Sequence, residues 1–134
     1  MSDKDFVSNY LDDFSSLLKS NEDIVNKLIE VKEILLDVKK NKSKVMIFGN
    51  GGSAAIASHV SVDLTKSAGI RCSNYNEADL ITCFSNDYGY ERWIEKAIDF
   101  YSDDNDILIL ISSSGKSQNM INACKAAKSN KIAK

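Results

Sequence analysis

The sequence predicts an α/β fold with a parallel sheet covered by helices on both faces. Two observations predict it. Lys44–Phe48 (KVMIF) and Asp106–Ile111 (DILILI) are short apolar runs between polar residues, as buried parallel strands are. Each run leads into a small-residue turn, Gly49–Ser53 or Ser112–Ser117, and then into a helix. Strands alternating with helices need right-handed crossovers and place ligands at the carboxyl ends of the strands.

The elements follow in order. Residues 3–19 carry Phe6, Tyr10, Phe14 and Leu17 at helical spacing beside Val7, Leu11 and Leu18, with Ser2 or Asp3 to cap. Asn21 opens a second helix to about Lys40, bearing Ile24, Leu28, Val31, Leu35 and Val38. Two amphipathic helices are more than one small sheet needs, so another subunit and the chain's own core both remain candidate partners. Beyond the first strand, Ala54–Ser67 reads as a helix with Ile56, Val60 and Leu64 on one face. Arg71–Asn76 reads as a short strand, Glu77–Phe84 as a short helix and Ser85–Gly89 as a loop. Tyr90–Tyr101 reads as an amphipathic helix facing inward through Trp93, Ala97 and Phe100, and Gln118–Lys128 as the final helix. SNKIAK at the end resembles the run-up to a further strand.

The 134 residues suit one domain, organised as helices 1–40 and an α/β core 44–134. A net charge of -2 gives no basic surplus for nucleic acid or an anionic membrane. No apolar run approaches the roughly 18 residues of a membrane span. The polar, acidic N-terminus is no secretory signal, so a cytoplasmic location is expected. Cys72, Cys83 and Cys124 are isolated, which argues against a disulfide framework or zinc knuckle.

The two turns carry the chemistry. In Gly49-Asn50-Gly51-Gly52-Ser53 the glycines allow close backbone approach, and the following helix aims free N–H groups at the same spot. An oxyanion or polar sugar suits that spot. Around Gly115, Ser112, Ser113, Ser114 and Ser117 add four hydroxyls at another helix start, a neutral phosphate cradle in which at least one serine caps the helix. Lys116 adds charge or points to water. A Walker A match at Gly115-Lys116-Ser117 is incomplete, because Leu110 stands where its first glycine belongs. Gly49, Gly51 and Ala54 match the dinucleotide fingerprint, with Glu77 or Asp79 near the expected ribose acid. A lone match of that kind is weak, and the second strand is short and polar.

His59 and Asp63 share a helix face at i and i+4, either as a proton-transfer or metal-binding pair or as an ordinary surface pair. Asp87 precedes a helix and suits either its cap or a substrate hydroxyl.

Taken in order, Gly49–Ser53, His59, Asp63-Leu64-Thr65, Asn86-Asp87-Tyr88-Gly89 and Ser112–Ser117 resemble the motifs of the phosphoheptose isomerases of the SIS-domain superfamily. The resemblance implies a flavodoxin-like three-layer sandwich, assembled as a homotetramer with active sites between subunits. It implies conversion of sedoheptulose 7-phosphate to D-glycero-D-manno-heptose 7-phosphate through an enediol, in heptose biosynthesis. Ser112, Ser113, Ser114 and Ser117 would hold phosphate. Asn50, Gly51, Gly52 and Ser53 would meet the sugar, and Asp87 its hydroxyls. His59 and Asp63 would be catalytic residues at a zinc centre, with no nucleotide cofactor. Two departures stand out. The family's carboxylate is usually Glu, and Asp63 is one methylene shorter; misplacement by about 1 Å costs roughly 100-fold in rate. The family also draws a Gln and a catalytic His from a C-terminal helix, so the chain reads as C-terminally truncated, with last strands and helix missing. The alternative is a non-catalytic SIS module that binds phosphosugar or protein.

Overall fold

The computed structural model describes residues 1–130 and 132. In chain order the elements are α1 (Asp3–Leu17), α2 (Glu22–Asn41), β1 (Val45–Gly49), α3 (Gly52–Lys66), β2 (Cys72–Ser73), α4 (Ala78–Tyr88), α5 (Trp93–Tyr101), β3 (Ile107–Ile111) and α6 (Gln118–Ser129). A 3-10 turn, Tyr90–Arg92, precedes α5. The chain divides into two compact units, Met1–Ile34 and Leu35–Lys134.

In the first unit, Ser2 caps α1 through a reciprocal capping box with Asp5. Asn21 Oδ1 accepts from the Ile24 amide at 2.8 Å and so starts α2. Phe6, Tyr10, Phe14 and Leu28 are all more than half exposed, so the apolar stripes of these helices are left open.

In the second unit three parallel strands lie in the order β2-β1-β3. β1 is buried along its whole length. Met46 and Phe48 pack against α5 and α6 in a core with Trp93, Ile94, Ala97, Ile98, Met120 and Ala123. Val45 and Ile47 alternate to the other face, where α3 lies along β1. Gly49 shares that parity, and a Cβ there would stand 2.3 Å from the Ser53 carbonyl group. Only glycine allows so close an approach of strand end and helix start. The expected α/β architecture, a parallel sheet flanked by helices, is therefore observed.

Several expectations need correction. On α3 the buried positions are Ala57 and Ser61, whereas Ile56 is 54% exposed. Small residues let this helix sit close to the sheet and turn Ile56 outward. Phe100 is likewise exposed, because Ile94 and Ile98 complete the inner face of α5. The strand expected over 71–76 shrinks to Cys72–Ser73. Of the expected run-up to a further strand, residues 131, 133 and 134 lie outside the described residues.

At the amino end of the sheet sits a cluster that the sequence reading missed. Asp106 is fully buried and Lys44 nearly so. The Lys44 amide donates to Asp106 Oδ1 at 2.8 Å, and its ammonium bonds both Asp106 Oδ2 and Asp103 Oδ2. The Asp103 amide donates to Asp106 Oδ2 at 2.8 Å. Burial alone would lower the Lys44 pKa, but hydrogen bonds and charge from Asp103 and Asp106 outweigh it and raise the pKa.

Candidate functional site

The two small-residue turns leave adjacent strands at the same level, since Gly49 pairs with Ile111 in the β1–β3 register. β1 feeds α3 and β2 on one side, while β3 lies on its other side. The turns therefore flank the point where the strand order reverses, at the carboxyl edge, where sheets of this kind bind ligands.

The glycine turn opens α3 without a side-chain cap. Gly51, its N-cap, has φ +55, and a Cβ there would meet nothing within 4 Å. Gly52 is also open. The Ser53 and Ala54 amides already donate to the Asn50 and Gly51 carbonyls at 3.0 Å each, so it is the Gly52 amide of the first turn that borders this uncrowded space. Ser53 is half-buried at the same turn.

In the serine turn, Ser112 Oγ accepts from the Gly115 amide at 3.1 Å and Ser114 Oγ from the Lys116 amide at 3.2 Å. These bonds use acceptor lone pairs and leave both O–H groups as donors. Ser113 is exposed. Ser117 is the N-cap residue of α6, yet its hydroxyl makes no cap bond. The expectation that a serine hydroxyl caps this helix is corrected: two of the hydroxyls shape the loop instead. The result is a set of serine hydroxyls just before a helix N-terminus, a chemistry suited to an oxyanion.

Asn50 joins the two turns. Its Nδ2 donates to Asn119 Oδ1 at 3.0 Å, and Asn119 Nδ2 donates back to Asn50 Oδ1 at 2.9 Å. The Tyr90 hydroxyl donates to Asn50 Oδ1 at 3.1 Å. One Asn50 N–H is left for a ligand. Asn119 and Tyr90 were not singled out from the sequence, because their partner lies 69 and 40 residues away.

His59 Nε2 and Asp63 Oδ2 are 3.5 Å apart on α3, with side chains 81% and 60% exposed. The pairing expected from their spacing is present. As a zinc centre it is incomplete. A catalytic zinc takes three protein donors, and among the described residues no group of three His, Cys, Asp or Glu side chains converges. The described residues therefore do not fit zinc on their own. Asp87 stands on the last turn of α4 rather than in a loop, and so does not cap the following helix. The helix continues to Gly89, whose φ of +88 ends it. Asp87 Oδ1 accepts from Asn86 Nδ2 at 2.9 Å, and the residue is exposed.

Glu77 and Asp79, the ribose-acid candidates, line a separate cleft of about 490 Å³ with Tyr75, Phe84 and Tyr101. None of the other candidate site residues lines that cleft. The three cysteines are free. Burial pushes the Cys72 thiol up to about 11, which makes it a poor nucleophile. No helix among the described residues is long and apolar enough to cross a membrane.

Fold and turns together define an α/β domain whose candidate ligand end is the β1/β3 switch point. The SIS domain family model matches residues 9–133. A phosphoheptose isomerase of Aliarcobacter butzleri is 33% identical over 130 residues, covering 91% of this chain and 68% of the relative. One from Helicobacter pylori is 34% identical over 119 residues, covering 84% of this chain and 62% of the relative. The structure of phosphoheptose isomerase GmhA from Neisseria gonorrhoeae superposes with a TM-score of 0.86 at 26% identity, over 96% of this chain and 70% of that one. A phosphoheptose isomerase structure from Francisella tularensis gives 0.83 at 21% identity and shares the fold. The chain belongs to the SIS domain family. It spans 68% and 62% of the length of the two curated relatives.

Proposed function

We propose that this chain provides the phosphosugar-binding part of a sugar-phosphate isomerase of the phosphoheptose type. The observation that carries the reading is the Gly49↔Ile111 register, which sets the glycine turn and the serine turn side by side at one sheet edge. Ser112, Ser113, Ser114 and Ser117 bind the phosphate through hydroxyls and helix N-terminal amides. Gly51, Gly52, Ser53 and the remaining Asn50 N–H meet the sugar, and Asp87 accepts from its hydroxyls. The substrate is sedoheptulose 7-phosphate and the product D-glycero-D-manno-heptose 7-phosphate.

The reaction removes a proton α to the carbonyl, forms an enediol and returns a proton to the neighbouring carbon. Asp63 takes the role of acid/base carboxylate, and His59 that of its proton-transfer partner. Phosphate held at the serine turn, remote from the reacting carbons, supplies binding energy that fixes their geometry. Zinc at His59 and Asp63 would need a third donor from outside the described residues, so proton transfer is assigned to side chains alone. The outward face of α3 carries Ile56, His59 and Asp63, and α1 and α2 leave apolar stripes open. Both features support a homotetramer in which a neighbouring copy covers the site. The protein is proposed to act in the cytoplasm.

The exposure of His59 and Asp63 in one chain favours a second reading, a SIS module that binds phosphosugar or protein without turnover. The experiment is incubation with sedoheptulose 7-phosphate, with and without zinc, followed by detection of the aldose. Turnover that is lost in His59→Ala supports the isomerase. Binding without turnover supports the module. Absence of sugar-phosphate binding overturns both phosphosugar readings.

A further inference from the structure

The amide pair between the turns is the most constrained polar feature of the site. Asn119 is 3% exposed, and its side chain is well supplied with partners. Its Oδ1 accepts from Asn50 Nδ2 at 3.0 Å and from the Met120 amide at 3.0 Å. The Met120 N–H, which Asn119 Oδ1 shares with the Ser117 carbonyl at 3.0 Å, favours this direction for the amide, because a flipped NH₂ would face another donor. Asn119 Nδ2 must then face Asn50 Oδ1, and that oxygen also receives the Tyr90 hydroxyl. Tyr90 belongs to the 3-10 turn that follows Asp87 and Gly89. That turn is tied to α6 a second time, since Asn122 Nδ2 donates to the Glu91 carbonyl at 2.9 Å. Three chain segments thus meet at one amide: the glycine turn, the start of α6 behind the serine turn, and the turn behind Asp87. The glycine turn carries candidate site residues, α6 begins at the candidate Ser117, and the third segment follows Asp87.

We propose that Asn119 and Tyr90 are positioning residues, which with Asn50 clamp the glycine turn to the serine turn and set the span of sugar phosphate that can bridge them. This rests on the phosphosugar reading above. The β1–β3 ladder also joins the turns, but it ends where they begin. A ligand held at the phosphate by one turn and at the sugar by the other depends on the distance between them, and small displacements are costly. A ligand held by the serine turn alone does not.

That difference makes the test. Calorimetric titration with sedoheptulose 7-phosphate and, separately, with inorganic phosphate is run on the unaltered chain and on Tyr90→Phe. The variant removes one exposed hydroxyl and keeps the ring, so folding is not at stake. The Kd for the sugar phosphate is expected to rise about 10-fold. The Kd for inorganic phosphate is expected to stay within about 2-fold. Equal loss for both ligands, or no change for either, overturns the clamp. A double-mutant cycle of Asn50→Ala and Asn119→Ala in urea unfolding reads the coupling without any ligand. A coupling of about 5-fold or more in the unfolding constant supports the clamp, and additivity overturns it. If the unaltered chain binds no sugar phosphate, the functional reading fails, while the cycle still decides whether the clamp exists.

Discussion

The two ends of the sheet are built on opposite principles. At the amino end, Lys44 and Asp106 immediately precede β1 and β3, and each satisfies the other with backbone and side-chain bonds in a buried setting. At the carboxyl end, the same two strands run out into glycine and serine, with exposed hydroxyls and open space at Gly51, Gly52 and Gly115. One end is closed by groups that have partners. The other presents donors whose partners are not within the turn. The contrast teaches where stability and function are separated along a single strand pair, and it can be attacked from either end.

The largest expected effect is at the closed end. Asp106→Ala removes the buried carboxylate that holds both the Lys44 amide and its ammonium. Loss of one partner of a buried pair costs about 3–5 kcal/mol, and the lower part of that range is expected because Asp103 still reaches the ammonium. Urea unfolding checks it. Gly49→Ala follows, since its Cβ would strike the Ser53 backbone at 2.3 Å; overpacking of that kind costs about 2–3 kcal/mol. At the open end the order reverses. Ser112→Ala and Ser114→Ala leave two loop amides to water, so stability should change by less than about 1 kcal/mol. Affinity for inorganic phosphate should fall about 10-fold for each hydroxyl removed. A serine change that destabilised as much as Asp106→Ala would erase the distinction between the two ends.

The strands and turns were legible in the sequence because their signals are local: KVMIF and DILILI are apolar throughout, and each meets glycine or serine. The i, i+4 spacing likewise placed His59 beside Asp63. What was not legible depended on distant partners. Lys44 and Asp106 are 62 residues apart, and Asn50 and Asn119 are 69. A signal for the first pair did exist, in opposite charges standing directly before the two most apolar strands. For Asn119 there was none, since an Asn in the first turn of a helix is ordinary. Boundaries were lost where propensity and context disagreed. Ser85-Asn86-Asp87 reads as a loop, but α4 runs through these residues and stops only at Gly89. The outward turn of Ile56 and Phe100 was hidden for another reason. Periodicity finds an apolar face but does not say which apolar residues a neighbouring element will cover.

The smallest expected effect is a pH dependence that belongs to the closed end and to α5. Lys44 bonding and charge hold the Asp103 carboxyl below its ordinary 3.8. The Arg92 hydrogen bond does the same for Glu95 against an ordinary 4.5. For Asp99, burial pushes upward, but bonds from Lys96 and Asn130 outweigh it and leave the pKa lowered. A carboxyl lowered on folding adds stability above its unfolded pKa and loses it as pH falls through the folded value. Lys44 has the opposite sign: its contribution is complete below the ordinary 10.5 and disappears as pH rises through a higher folded value. Unfolding midpoints should therefore be flat around neutrality and decline below about pH 4; they should decline again above about pH 9, where the thiol of Cys72, held up to about 11 by burial, ionises first in the unfolded chain, with the Lys44 share lost above about pH 10.5. Asp103 is largely exposed, so salt should shrink its share. Asp103→Asn should flatten part of both limbs, because it removes one titrating carboxyl and one of the two charges that raise Lys44. An acid limb unchanged by that variant would assign the low-pH loss to the α5 pairs instead.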